Sequence, residues 1–416
     1  MRNKTKTLLP SILILLLFYS CSPKNKKASP IFDDVDATYI TEKSKTSASQ
    51  KGMDIQIDLS DLKTESRLTF SEVFDSISFL KLEKKKESLL GEIDKIIIKN
   101  DTFFLLDRYK AKSLKLFDKS GKFLNNIGKI GPGPQEQQEI TDFFVTDDKI
   151  IIYDQFKSRM FSYSHDGHFL NSKKTPFIFN SFYILSDNEY IIHCLDSDNY
   201  HIPDMLGYSI FKTDSNFVIH NKGAYRAKDV YVSILAKNNL FSTENNLYYH
   251  EPLNDTIFSI NRKGNLFYDY IVNFGKYKLP KEYWLEENHR EFSKAWRSKE
   301  YAIFFGEIVP TPNYLYFNFT MKESLYHAIW SHKTGAISVG KNTIDDMYYF
   351  FPLSDNILTC SGDVLIGSIE THYLVEKFQA FPKQEWLEAT KDSTFVNFLD
   401  DLDYEDNPVL VFYHLK

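Results

Sequence analysis

Two acidic positions recur together with their surroundings. Asp107-Arg108 and Asp154-Gln155 each close an apolar run, "FFLLD" and "IIIYD", 47 residues apart. "HEPLNDT", His250 to Thr256, begins at the corresponding point of a later copy of the same pattern. Carboxylates, amides and an imidazole presented this way could hold a cation or a sugar. Asp107, Arg108, Asp154, His250, Glu251, Asn254 and Asp255 are therefore the candidate ligand-binding residues, and Ca2+ is the cation that suits such oxygens without sequence-local spacing. Repetition also favours a structural role for the two aspartates, each carboxylate accepting backbone N–H bonds in its turn.

Other chemistries find less support. His193, His250 and His289 have no zinc spacing, and no Gly-x-Ser-x-Gly elbow occurs. "HDGH", His165 to His168, reads as a hairpin turn. "GKIGPGP", Gly128 to Pro134, has its lysine ahead of the glycines and a strand, "DFFV", behind, so it is not a Walker loop. Neither a transition metal nor an organic cofactor is expected, and no residue is assigned a catalytic role. The 35 Phe and 26 Tyr could stack on carbohydrate, but aromatic residues in strands more often fill space between sheets.

The elements that position these residues are strands. From about Ile55 onward, apolar runs of roughly five residues alternate with Asp, Asn, Gly and Lys turns. "FFLLDRYKAKSLKLFDKSGKFL" (Phe103 to Leu124) lies over "IIIYDQFKSRMFSYSHDGHFL" (Ile150 to Leu170), a blade-sized repeat. Its first copy parses as four strands, "EIDKIII", "TFFLLD", "SLKLFD" and "KFLNNI", and the glycine-proline stretch after them connects one blade to the next. Weaker copies run over Glu189 to Ile219, Asn245 to Val272 and Asn313 to Val339, which makes five. A sixth is assembled from Ile357 to Glu370, Asn407 to Lys416 and the early Ser76 to Glu83, so both chain ends close the ring. "PKEYWLEENHREFSKAW", "PKQEWLEATKDSTFVNFLDDL" and "THYLVEKFQ" are helical insertions; the first carries Leu285, His289, Phe292 and Trp296 at helical spacing. The expected fold is all-β, a six-bladed propeller of four-stranded antiparallel blades.

The amino terminus is of a different kind. Arg2, Lys4 and Lys6 precede an apolar run that stops at Ser20-Cys21, the layout of a secretory signal over residues 1–20. A small residue followed by Cys resembles a bacterial lipobox, in which acylated Cys21 would be the mature first residue; an uncleaved anchor or an ordinary signal with an incidental Cys is the alternative. Residues 21–52, Lys/Ser/Thr-rich, read as a flexible tether whose deletion should spare the fold, and 53–416 as the propeller. "SPKNKKASP" lacks an acidic export cluster, which favours the periplasmic side. Loss of residues 1–20 leaves 47 basic against 56 acidic residues, a balance that argues against nucleic acid. Cys194 and Cys360, the other two cysteines, are either one disulfide or two buried thiols.

Four stretches, "FDKSGKFLNNIGKIGPGPQE", "LLGEIDKIII", "LNDTIFSI" and "NPVLVFYHLK", resemble the six-bladed β-propeller lipoproteins of Bacteroidetes, relatives of the NHL-repeat and TolB-like propellers. The resemblance covers the chain from about residue 55 and implies fold and envelope address. It implies no common activity. A monomeric, non-enzymatic module that binds an envelope protein or glycan is the first expectation; a metal-dependent lactonase- or lyase-like propeller enzyme is the alternative. Lipidation is directly testable. Native protein should partition into detergent and carry acyl chains at Cys21 by mass spectrometry, and Cys21→Ala should abolish both.

Overall fold

In a computed structural model of the chain, the described residues are 29–63, 66–195, 199–225, 237–243, 246–284, 289–298, 300–305, 307–348 and 351–416. Six four-stranded antiparallel sheets form the body. Their innermost strands touch one another in ring order, which makes a six-bladed propeller around a central channel. Blade 1 runs Lys95–Lys99, Thr102–Asp107, Ser113–Asp118 and Phe123–Ile127 from channel to rim, and blade 2 repeats it over Asp142–Val145, Ile150–Asp154, Arg159–Tyr163 and Phe169–Lys174. A blade is covered by neighbours on both faces. Its second strand is therefore apolar throughout rather than alternating, and Ile150 to Asp154 are all buried.

Blade 6 is the closure. Its strands are Ile357–Ser361, Val364–Ile369, Val409–Leu415 and, outermost, Phe74–Leu80 from the opposite end of the chain. The C-terminal strand is thus an interior strand, bonded on both sides. The inner strands of blades 3, 4 and 5, Ser181–Ser186, Leu240–Ser242 and Ile308–Pro310, are the ones the sequence pattern does not mark.

The expected tether is in large part structured. Pro30–Phe32 and Ala37–Thr41 are helical turns; Phe32 is buried against His201 of blade 3, and Ile40 is buried at the junction of blades 2 and 3 among Tyr153, Met160, Phe182 and Phe211. From there the chain follows the rim. Thr46 bridges Lys222 of blade 3, Gln50–Asp58 adds a parallel fifth strand to Leu266–Asn273 of blade 4, and Arg67–Thr69 pairs with Asn342–Ile344 beside blade 5. After completing blade 6 it crosses blade 1, where Glu83 donates its N–H to Gly121 O at 2.8 Å and Lys115 Nζ donates to Glu87 O at 2.6 Å. The close passage requires glycine at Gly340, where a Cβ would stand 2.4 Å from Leu68 N. Composition alone predicts disorder here; the strap is ordered because it satisfies the outer edges of the blades.

The helical insertions are Lys281–Trp284 with His289–Ser298, and Thr371–Gln379, Lys383–Thr390 and Ser393–Asp400. Phe292 is buried, Trp296 packs on Phe305, and Leu285 lies outside the described residues. Cys194 and Cys360 are separate free thiols, and burial pushes the Cys360 thiol up to about 12. Among the described residues no helix is long and apolar enough to cross a membrane.

Deleting Val409 to Lys416 should leave Phe74–Leu80 unpaired and give an aggregating, protease-sensitive product. Deleting residues 29–48 should also destabilise the fold, by roughly 3–5 kcal/mol for the loss of two buried apolar side chains. Denaturant unfolding checks both; wild-type stability in either would contradict the closure or the strap.

Candidate functional site

Every blade begins at the same end of the channel, and polar residues stand at that entrance just ahead of the inner strands. They are Glu92 and Asp94 in blade 1, Thr141 and Asp142 in blade 2, Asn180 in blade 3, Lys237 and Asn238 in blade 4, Glu307 in blade 5, and Asp355 and Asn356 in blade 6. The turns between second and third strands open at this end too, because the first two strands are antiparallel.

Lys237 organises the entrance. From blade 4 its Nζ reaches across the channel to Glu92 Oε1 at 2.6 Å and Asp94 Oδ1 at 3.5 Å, with Asn356 Oδ1 of blade 6 at 3.4 Å. Its two carboxylate partners hold its ammonium pKa above the usual value despite burial. Asp142 joins three blades, accepting from Lys95 Nζ at 2.6 Å and from the Phe182 N–H at 3.0 Å. In blade 5, Glu307 accepts from Asn318 Nδ2 at 2.8 Å, while His327 shares a hydrogen bond with the Tyr316 hydroxyl at 2.9 Å and lies 3.7 Å from Asp355.

Desolvation separates the carboxyls. Glu307 keeps some accessible surface because it lines the channel, yet protein encloses it and burial pushes its pKa up against the pull of Asn318 and Lys237. Burial likewise raises Asp94 and Glu139. Glu92 is opposed by the same burial, but Lys237 and Lys110 outweigh it and its pKa falls.

The residues singled out from sequence are placed differently. Asp107 is fully buried; Oδ2 accepts from the N–H groups of Gly91 and Glu92 at 2.7 and 3.0 Å, and Oδ1 from those of Lys110 and Ala111 at 2.8 and 2.9 Å. Asp154 repeats this with Gln138, Glu139, Phe156 and Lys157. Both carboxylates staple a blade entrance to the next turn. Arg108 donates to Thr141 O, and its N–H to Asp94 Oδ2 at 2.8 Å, so it borders the entrance. His250 shares a 2.7 Å hydrogen bond with Asn254 O and lies against Phe304; Glu251 accepts from the Tyr249 hydroxyl, and Asp255 pairs with Lys278. These four belong to one turn of blade 4, which packs on its neighbouring insertion. Among the described residues no three His, Cys, Asp or Glu side chains converge as metal ligands, and the seven are divided among separate turns of blades 1, 2 and 4. Lys237, Glu92, Asp94 and Glu307 escape sequence inspection. Their shared signal is only a place, one to three residues before an inner strand.

Glu92 and Glu307 should show opposite pH behaviour. A raised carboxyl favours folding while protonated and opposes it as pH rises beyond the ordinary glutamate value of 4.5. Glu307→Gln should therefore melt like wild type in acid and at a higher temperature than wild type at neutral pH. Glu92 is depressed, so its contribution exists above that value and disappears as pH falls; Glu92→Gln should lower the melting temperature most at neutrality and progressively less as the pH falls. Thermal melts from pH 3 to 8 decide, and equal signs would refute the assignment.

Comparison with known proteins follows this geometry. A Bacteroides fragilis protein named as an exported one is 19% identical with a TM-score of 0.70, over 87% of this chain and 99% of that one. A member of the DUF4221 family from Bacteroides vulgatus is 12% identical with a TM-score of 0.48, over 85% and 98% of the two chains. Virginiamycin B lyase from Staphylococcus aureus is 13% identical with a TM-score of 0.38, over 70% and 81%. At such identities the first likeness is one of fold. No curated protein matches the sequence. The family described as a domain of unknown function, DUF4934, matches residues 54–414, and the chain belongs to it.

Proposed function

We propose that the chain is a lipid-anchored binding module of the cell envelope, which recognises a protein or glycan with the face at the channel entrance and does not transform it. One observation carries this. The described parts of the connection between blades 4 and 5, 274–284, 289–298 and 300–305, and the three-helix segment 371–402 of blade 6 rise from that face, beside an entrance whose charges are already committed to one another. The opposite face has mainly tight hairpins such as Asp118–Lys122 and Ser164–His168. Loops enlarged on one end of a rigid ring are the usual means by which a propeller gains a recognition surface. The export named for the Bacteroides fragilis protein that shares the fold agrees with the lipobox-like start of this chain.

Phe381 and Tyr404, large apolar side chains 41% and 47% exposed on the blade 6 insertion, are suited to contact a partner. Photo-crosslinkers placed there in the full chain should capture a defined envelope component, whereas one at Leu124, on the opposite face, should not. Replacing both by Ser should weaken capture about tenfold without lowering the melting temperature. Metal-dependent turnover of a lactone or acidic glycan, lost in Asp94→Asn, would overturn the non-enzymatic reading in favour of the lactonase or lyase one.

A further inference from the structure

The strap begins where the amino-terminal anchor leaves off. Ser29 precedes a turn whose Phe32 stacks on His201 at 4.4 Å between centroids, and Asp34 pairs with Lys174 at 2.5 Å. His201 lies between the second and third strands of blade 3, and Lys174 ends the outer strand of blade 2 opposite Arg159, so both mark the channel-entrance face. Eight peptide steps separate Cys21 from Ser29, a reach of at most about 28 Å when fully extended. A lipid on Cys21 therefore holds this corner of the ring close to the bilayer.

The same corner carries exposed apolar side chains. Tyr109 and Phe156, 59% and 55% exposed, sit at equivalent turns of blades 1 and 2; Ile130 lies in the connection between those blades, Ile31 within the first strap turn and Tyr225 at the end of the blade 3 outer strand. All five are on the channel-entrance face. The turns 108–112, 128–139 and 155–158 contain five basic side chains, Arg108, Lys110, Lys112, Lys129 and Lys157, against Glu136 and Glu139. Lys129 pairs with Glu136, Lys110 with Glu92 and Glu370, and Lys157 donates to the carbonyls of Gly131, Gly133 and Glu136, while the strap turn adds Asp33, Asp34 and Asp36. Aromatic and aliphatic side chains set among lysines are what a protein presents to anionic headgroups and the acyl boundary beneath them.

We propose that the channel-entrance face over blades 1 to 3 rests on the lipid surface to which Cys21 is attached. The ring is then tilted, and a partner held by the insertions of blades 4 to 6 is met at the membrane rather than free in the surrounding compartment. This rests on acylation of Cys21, stated above as part of the proposed function.

The test uses the full acylated chain in vesicles of phosphatidylethanolamine and phosphatidylglycerol containing doxyl-labelled lipid. A fluorophore is attached in turn at Ile31→Cys, Phe156→Cys and, on the opposite face, Leu170→Cys, with the unsubstituted chain as the labelling background for Cys194 and Cys360. Quenching by lipid at the first two positions should exceed that at the third at least about threefold. Equal or reversed quenching overturns the proposal. So does shielding from aqueous iodide without lipid quenching, which would assign the patch to a protein. Intact mass separates the two claims: acyl chains on Cys21 without the contrast refute the orientation alone, and their absence refutes the anchor and the orientation together.

Discussion

Everything in this protein depends on one sheet that neither end of the chain can build alone. In blade 6 the strand Val409–Leu415 lies between Val364–Ile369 and Phe74–Leu80, so the last folded residues are bonded on one side to their own neighbours and on the other to a strand some 330 positions earlier. Until that pairing forms, the ring is an arc with two open flanks of apolar strand faces and unpaired backbone groups. The contact is non-local, so it must repay a large loop-closure entropy. It does so by completing the largest apolar cluster, in which Phe74 and Tyr413 from the two ends pack together with Trp386, Phe395 and Leu399 of the helical insertion. Closure and insertion are thus parts of one core.

The strap extends the same logic to the rim. A propeller leaves an outer edge on each blade, and here residues 45–58 and 67–88 run along the edges of blades 3, 4, 5 and 1, while Phe74–Leu80 is itself the edge of blade 6. Among the described residues blade 2 has no strap backbone bonded to its outer strand; that strand ends in Lys173-Lys174, a pair of charges that discourages further strand addition. A belt that starts at blade 2 and ends by entering blade 1 also fixes where the amino terminus leaves the ring. The direction of any anchor is a consequence of fold closure.

What could be read from the sequence follows from how local the determining interactions are. Blades 1 and 2 were legible because their hairpins carry their own turn chemistry, "DKSG" and "HDG", and because two good copies validate each other. The inner strands of blades 4 and 5, "LFS" and "IVP", are three residues long, too short for any periodicity, and exist only because neighbouring inner strands surround them. Asp107 and Asp154 were visible as a repeat, and both accept backbone N–H bonds from their turns. Lys237 had no such signal. Its partner Glu92 lies 145 positions away, and their meeting is set by the diameter of a six-membered ring rather than by any spacing along the chain. The strap was misjudged for a related reason: composition reports whether a segment can fold alone, not whether it can satisfy edges that another part of the chain has already built.

The entrance shows what a ring does to charge. A lysine reaching from blade 4 to blade 1 crosses the channel axis, so its ammonium and the carboxylates of Glu92 and Asp94 are desolvated together although none of them is in an apolar core. Replacing such a group alone leaves the opposite charge enclosed without compensation, which costs more than the intact pair contributes. The entrance charges are consequently bound to one another and to the closed ring. One lysine and two carboxylates thus tie opposite blades together across the axis, a contact that no single blade could specify.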